Sequence, residues 1–594
     1  MTNNNQQRRV KRSTRIRRIR RLPFVISLLS VLLFIYDVGF LHQLHEAEAF
    51  RLAYIITLII GTASIIGRYF SKSTRPGLGV VPYEMIMILF LLLLILHYSG
   101  FGYLGIPLLF SQPFWLYLAI FLVFFRELFA IKPDFKRTMI NPAQLFILSF
   151  LVVIIAGGFL LMLPNATYSN ITLIDAMFTS TSAVCVTGLT VVDTGTFFTE
   201  FGQIIIVLLI QIGGIGIMTF ASYFSYFFTG TSSYEQQIVL SELTNTEKLG
   251  EIFTILKRII LLTFLIEGIG ALSIFQSING SLIPSIYDRL FFSIFHSVSA
   301  FCNAGFSTLQ NNLADGPFQF NYPLHLTIAS LIIIGGLGFP VVYNLLKIIS
   351  VKIKTTFSRI LHKNYHIYNP WLININTRIV LITTFILLVS GTILFYVFEY
   401  NNTLAHYGFA GKIVEAFFGS VTTRTAGFNT VDTAALSIPT ALIFIFLMWV
   451  GASPGSTGGG IKTSSLAIAF LNILSIAKGK SRLEIYKREI SNTSVNRAFA
   501  IIILSIVVIS TAVLCITLFD QATGLLNIVF ECVSAYSTVG LSRGITAGLS
   551  SASKLVLILT MFIGRVSMLS LLIAVFKKVS GGKYRYPSED ILIN

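Results

Sequence analysis

Long apolar runs separated by short polar breaks set the pattern of this chain from residue 23 onward. Runs at roughly 23–41, 52–70, 80–98 and 113–130 are each long enough for a helix to cross a hydrocarbon core. Eight more follow, at roughly 143–163, 201–228, 255–277, 323–349, 378–398, 438–477, 497–518 and 554–577. The pattern predicts twelve spanning helices. Within each later pair lies a shorter apolar stretch, at 173–184, 286–301, 412–423 or 525–536. These are too short to span. Lipid leaves backbone polar groups no partner but each other, so the short stretches are expected as half-helices that enter from outside and turn back.

The short stretches run into related sequences. They read STSAVCVTGLT around Gly188, SVSAFCNAGFS around Gly305, GSVTTRTAGFN around Gly427 and CVSAYSTVGLS around Gly540. The glycines lie 117, 122 and 113 residues apart. A recurrence at that period marks one supersecondary unit used four times. The expected fold is an all-α polytopic membrane protein. Four fused helix–pore-loop–helix repeats surround a pseudo-fourfold pore, preceded by four extra transmembrane helices. The expected boundaries are a basic cytoplasmic arm at 1–22, the extra helices at 23–140, and repeats at 141–230, 231–350, 351–477 and 478–594.

Composition agrees with a membrane chain. Of 594 residues, 54% are hydrophobic and 11% charged, and the mean hydropathy is +0.80. The net charge of +18 would suit nucleic acid in a polar protein. In so apolar a chain it marks cytoplasmic loops facing anionic lipid, and no nucleic acid is expected. With both termini inside, only Arg51, Arg289, Lys412, Arg424, Arg543 and Lys554 fall in or beside outer segments. Lys462 and Arg565 fall within the membrane, and the other cations fall inside, as the positive-inside bias requires. Cys185, Cys302, Cys515 and Cys532 lie in or beside apolar runs with no metal-ligand spacing, and are expected as free thiols.

A half-helix descending from outside points the negative end of its dipole at the midplane. Four such ends around one axis favour a cation, and loop carbonyls can replace its hydration shell. Among charged residues only Arg424 and Arg543 lie within three positions of a loop glycine, and neither is a carboxylate. A divalent site would show a ring of carboxylates and an anion pore a ring of cations, so a monovalent cation is expected. A lone glycine of this kind would be a tight turn; four with matched flanks argue for function.

Residues 451–461 read GASPGSTGGGI inside the third repeat's last helical segment. Gly451, Gly455, Gly458, Gly459 and Gly460 with Pro454 cannot continue a helix cheaply. A kink needs fewer glycines, so a mobile intramembrane loop is expected over 451–462. Lys462 ends it, and Arg565 lies in the last helix. A buried cation there is either paired with helix-end carbonyls or serves as a barrier or latch below the loops. Glu267 is expected to pair with another helix. Glu531 and Asp175 either enrich cations at the mouth or steady their half-helices. Arg424 either braces the loops through carbonyls or offsets the negative site.

The four glycine loops, TTRTAGFNTVD around Gly427 and GASPGSTGGGIKT at 451–463 resemble the Trk/Ktr/HKT superfamily of potassium transporters, and within it the bacterial KtrB branch. The resemblance runs from about 141 to the C-terminus. It implies potassium uptake through a filter at Val186-Thr187-Gly188, Asn303-Ala304-Gly305, Thr425-Ala426-Gly427 and Thr538-Val539-Gly540. It assigns a gate role to the loop containing Gly451, Ser453, Pro454, Gly455, Gly458, Gly459, Gly460 and Lys462. It further implies a homodimer in the bacterial plasma membrane, a cytoplasmic ring of nucleotide-binding KtrA-like subunits, and sodium as a supporting ion. Arg565 matches the arginine of the family's GRVGPLT, but here the stretch is Gly564-Arg565-Val566-Ser567-Met568, which puts the local helix geometry in question. No cofactor is expected in this chain. The basic loops 350–378 and 478–497 and the tail 577–594 are the expected surfaces for the ring, or for anionic lipid.

No HExxH or Walker loop occurs, and the one G-x-S-x-G, Gly451 to Gly455, lies inside the glycine-rich stretch of an apolar segment, so an enzyme is not expected. The rival reading is a secondary transporter for sodium or another monovalent cation, working by alternating access. Such folds usually carry two repeats rather than four.

Overall fold

The computed structural model describes residues 22–40, 44–70, 81–99, 112–130, 142–216, 252–360, 373–480 and 482–575. The basic arm up to 21, the segments 217–251 and 361–372 of the inter-repeat loops, and the tail from 576 lie outside the described residues.

Four helices come first: Leu22–Gly39, Leu44–Tyr69, Val81–Tyr98 and Pro113–Ala130. Their apolar faces meet around Tyr54, Leu58, Leu91, Leu94, Ile120 and Val123. Charges are drawn into the bundle in matched sets, since a carboxylate there needs partners. Arg126 pairs with Glu84, and Arg68 with Glu127. The Tyr69 hydroxyl donates to Glu84 at 2.7 Å, and Ser64 donates to Glu127 at 3.0 Å. The bundle joins the rest where Asn165 Nδ2 donates to the Val38 carbonyl at 2.9 Å.

Each repeat then supplies an outer helix, a pore helix and an inner helix. The outer helices are Pro142–Leu161, Ile252–Ser277, Ile375–Glu399 and Asn492–Phe519. The pore helices are Leu173–Val184, Ile286–Cys302, Phe409–Thr422 and Leu525–Ser537. The inner segments begin with Glu200–Ile215, Tyr322–Leu337, Ile438–Trp449 and Ser551–Val566. Polar residues start the first two pore helices. Thr172 and Ser285 side chains accept from the Asp175 and Asp288 amides, satisfying donors that a helix start leaves open.

Small residues bring pore and outer helices together. Ser180, Ser297 and Ser420 donate to the carbonyls of Ile154, Glu267 and Leu388 at 2.7, 2.6 and 2.9 Å. One turn along, Gly157, Gly270 and Gly391 leave room for those serines. In the fourth repeat Cys532 stands at the serine's place in the sequence. The cysteines are all free, and Cys185, Cys302 and Cys532 are buried. The repeats close on themselves: one core cluster joins the first to the second and fourth, a second joins the second to the third, and a third joins the third to the fourth.

Among the described residues, six helices are long and apolar enough to cross a membrane, or seven if the bent pair Tyr322–Leu337 and Phe339–Ile353 is one span. The expectation of twelve counted each inner segment as one span, straight except for the loop expected at 451–462 in the third. None of the four is. The first ends at Gly216 with φ +89°, the second turns at Gly338 with φ +79° and bends by 103°, and the fourth turns at Ser567 with φ +74°. The third opens between Trp449 and Thr463. In three repeats the cause is one local arrangement. Gly213, Gly335 and Gly564 press against the carbonyls of Val184, Phe301 and Tyr536 at the pore-helix ends, where a side chain would collide. The break follows three residues later.

Candidate functional site

The pore helices end at the centre of the ring of repeats. Their last turns are held by backbone bonds to the loops that follow. Thr187, Ala304 and Val539 amides donate to Ser182, Ser299 and Ser534 carbonyls at 2.7, 2.7 and 2.9 Å. In the third repeat Ala426 donates to Thr422 at 3.0 Å, a turn one residue shorter. Side chains add a second tie. Ser182 and Ser534 hydroxyls accept from the Gly188 and Gly540 amides at 3.0 and 3.1 Å. Ser299 donates to the Phe306 carbonyl at 2.8 Å, and Thr422 to that of Phe428 at 2.5 Å.

In all four loops the backbone alternates in hand. Val186, Asn303, Thr425 and Thr538 have φ of +58°, +61°, +82° and +50°. Two residues on, Gly188, Gly305, Gly427 and Gly540 have φ of +91°, +70°, +77° and +92°. A strand turns successive carbonyls to opposite faces; alternating hand lets them share one face. The loops then meet in a cycle. A Cβ on Gly188 would strike the Ala304 carbonyl, one on Gly305 would lie 2.6 Å from the Ala426 oxygen, one on Gly427 would strike Val539, and one on Gly540 would strike Thr187. Each glycine is thus seated on the carbonyl just before the next repeat's glycine, and the fourth returns to the first.

The glycine-rich loop lies against the inner ends of these loops, touches the second, third and fourth repeats, and is linked to the first through Arg565. The Gly459 amide donates to Thr538 Oγ1 at 2.8 Å, and Gly458 fits against Thr425 Oγ1. Asn303 is oriented to donate to Ala300 and Ile332 carbonyls and to accept from Thr425 at 3.1 Å. The break in the second inner helix clasps the loop's start: Ser453 N donates to Gly336 O at 3.0 Å, Ser453 Oγ to Leu337 O, and Phe339 N to Gly455 O at 3.2 Å. Pro454 passes beside Gly338. Gly451 admits the Gly459 carbonyl, Gly460 packs on Ser537, and Lys462 Nζ turns back to the Gly458 carbonyl at 2.6 Å. Arg565 donates to the Thr457 carbonyl of this loop and, at 2.5 Å, to Gly213 of the first inner helix.

The other charged candidates are fastened to protein. Arg424 reaches the Thr384 and Gly451 carbonyls, both at 3.4 Å, so it braces the loop. Asp175 pairs with Lys554 at 2.7 Å, tying the first pore helix to the fourth inner helix. Glu267 accepts from Gln211 of the first inner helix at 3.1 Å. Glu531 is buried and accepts from Ser542 and, at 3.2 Å, from Thr546, holding the strand of chain that leaves the fourth loop. His325 and Glu415, unremarked in the sequence, form a fully buried pair at 2.8 Å between the second inner helix and the third pore helix. They lie 90 residues apart in the sequence. Among the described residues no group of three or more His, Cys, Asp or Glu is placed to hold a metal ion.

Four loops joined in one carbonyl cycle, beside a loop set into a broken helix, stand at the centre of an all-α polytopic membrane protein. The family description "TrkH, cation transport protein" matches residues 114–585, and the chain belongs to that family. The match takes in the fourth N-terminal helix, which the resemblance from 141 had left out. The chain is 36% identical over 467 residues to Ktr system potassium uptake protein B of Vibrio alginolyticus, covering 77% of this chain and 97% of that protein. It is also 36% identical to the potassium/sodium uptake protein NtpJ of Enterococcus hirae, covering 77% and 98%. The crystal structure of the potassium transporter TrkH from Vibrio parahaemolyticus shares the fold, with a TM-score of 0.59 at 17% identity over 84% of this chain and 97% of that one.

Proposed function

We propose that this chain takes up potassium across the bacterial plasma membrane through the carbonyl cycle at Gly188, Gly305, Gly427 and Gly540. The observation that carries the proposal is the closed seating of each glycine on its neighbour's carbonyl. Four carbonyl oxygens in one layer, fixed by backbone that only glycine tolerates, substitute for the hydration shell of a monovalent cation. The filter is Val186-Thr187-Gly188 and its three counterparts. With one glycine per loop it holds fewer stacked ions than a full channel filter. The loop 451–462 is the gate, Arg565 is its latch, and the same cation raises an electrostatic barrier beneath the filter. Sodium supports uptake, as the resemblance to the KtrB branch implies. The working assembly is a homodimer on a cytoplasmic nucleotide-binding ring, docked at the basic loops or resting there on anionic lipid.

The test is rubidium-86 uptake into proteoliposomes holding this chain alone, at an inside-negative potential, with and without sodium. Wild type should take up rubidium in a potassium-blocked manner. Gly188→Ser should lose that discrimination, because its Cβ meets the Ala304 carbonyl and its backbone sits at φ +91°. Equal block by sodium and potassium in wild type would overturn the filter.

A further inference from the structure

The four glycine carbonyls are not equivalent. The glycine-rich loop packs on Thr425 and Thr538, two residues before the glycines of their loops, so the glycine carbonyls form the filter layer farther from it, taken as the outer one. At Gly305 that carbonyl accepts a hydrogen bond from Asn312 Nδ2 at 3.1 Å. Among the described residues, no side chain donates to the carbonyl of Gly188, Gly427 or Gly540. Asn312 is built for the contact. Its own backbone is left-handed, at φ +56°, a conformation asparagine tolerates better than most residues. Its Oδ1 accepts from the Leu313 amide at 2.9 Å, so both ends of the amide are committed. The loop that presents it is tied down separately. His296 Nε2 meets Ser307 Oγ at 2.8 Å, Ser307 accepts from Leu309 N at 3.0 Å, and Leu313 is buried.

We infer that Asn312 sets potassium-over-sodium selectivity at the outer layer of the filter by restraining the Gly305 carbonyl. The amide occupies one lone pair of that oxygen and so lowers the field it offers an ion. It also ties the oxygen to the outer wall. An unrestrained carbonyl can swing inward and close on the smaller ion; a tethered one cannot. Sodium therefore loses more than potassium. Asn312 is a positioning residue, acting through Gly305. The inference rests on the filter proposed above.

The experiment compares wild type, Asn312→Asp and Asn312→Gly in proteoliposomes. The readout is the concentration of sodium against that of potassium needed to halve rubidium-86 uptake. Aspartate keeps the acceptor for Leu313 and the left-handed backbone but has no N–H to give. Glycine keeps the backbone and has no side chain. Both should lower the sodium-to-potassium ratio by about threefold or more, whereas a merely structural role would change yield and thermal stability and leave the ratio alone. An unaltered ratio in either folded variant overturns the role of Asn312 and leaves the filter standing. A wild type that shows no preference overturns both.

Discussion

Replacing Arg565 with glutamine should release the loop beneath the filter. The guanidinium donates to the Thr457 carbonyl of the loop and to the Gly213 carbonyl of the first inner helix. The second contact anchors the arginine; the first holds the loop. A hydrogen bond to a charged group contributes about 1.5–3 kcal/mol. With about 1.4 kcal/mol per factor of ten, loss of the loop contact raises the open-to-closed ratio roughly 10- to 150-fold. If the loop is open about 1% of the time, uptake per molecule rises roughly tenfold at the lower bound and levels off as the open state fills. The assay is the initial rate of rubidium-86 uptake per reconstituted molecule, with thermal unfolding in detergent as the control for folding. Arg565→Lys should fall between wild type and Arg565→Gln, since it keeps the charge without the two-pronged donor. Deleting 453–460 should match or exceed the glutamine variant. Unchanged or slower uptake in both Arg565→Gln and the deletion, with the fold intact, would refute the latch.

Ser567→Gly should stabilise the chain. Ser567 sits at φ +74° and ψ 129°, a region nearly reserved for glycine, so relief of about 1 kcal/mol should appear as a higher unfolding temperature. No rise would mean that the serine side chain makes a compensating contact. Arg126→Met should cost the N-terminal bundle about 3–5 kcal/mol, because Glu84 is left buried without its cation. Adding Glu84→Gln should recover part of the lost thermal stability, and a double variant as weak as the single would sink that account.

The repeats and their half-helices were plain in the sequence because lipid enforces apolar runs and the run length alone separates a span from a half-helix. The loop at 451–462 was plain because five glycines and a proline leave helix no foothold. What stayed hidden was the shared break in the inner helices. Gly213-Gly214-Ile215-Gly216, Gly335-Gly336-Leu337-Gly338 and Gly564-Arg565-Val566-Ser567 agree only in the first residue and in the need for positive φ at the fourth. Placed in register they show Arg565 at the position of Gly214 and Gly336, a side chain only the fourth repeat puts there. The open question over that stretch closes the same way: Ser567 adopts the glycine-like turn itself. The His325–Glu415 pair could not be found from spacing, because its members belong to different repeats. Asp175 and Arg424 had two readings each, and only the third dimension supplied Lys554 for one and the Thr384 and Gly451 carbonyls for the other.

The cycle of glycines and carbonyls is written once, along a single chain. In a ring of four identical chains, any substitution would be made in every quarter at the same moment. Here one codon alters one quarter and presses on one neighbour, leaving the far side as it was. The ring can therefore be tuned in small doses. Its quarters already differ: the third turn is a residue shorter, the fourth has a cysteine where the others have serine, and the second alone carries Asn312. If the ring is the filter proposed above, it can drift from one ionic preference to another through working intermediates, a path that a strictly symmetric ring does not have.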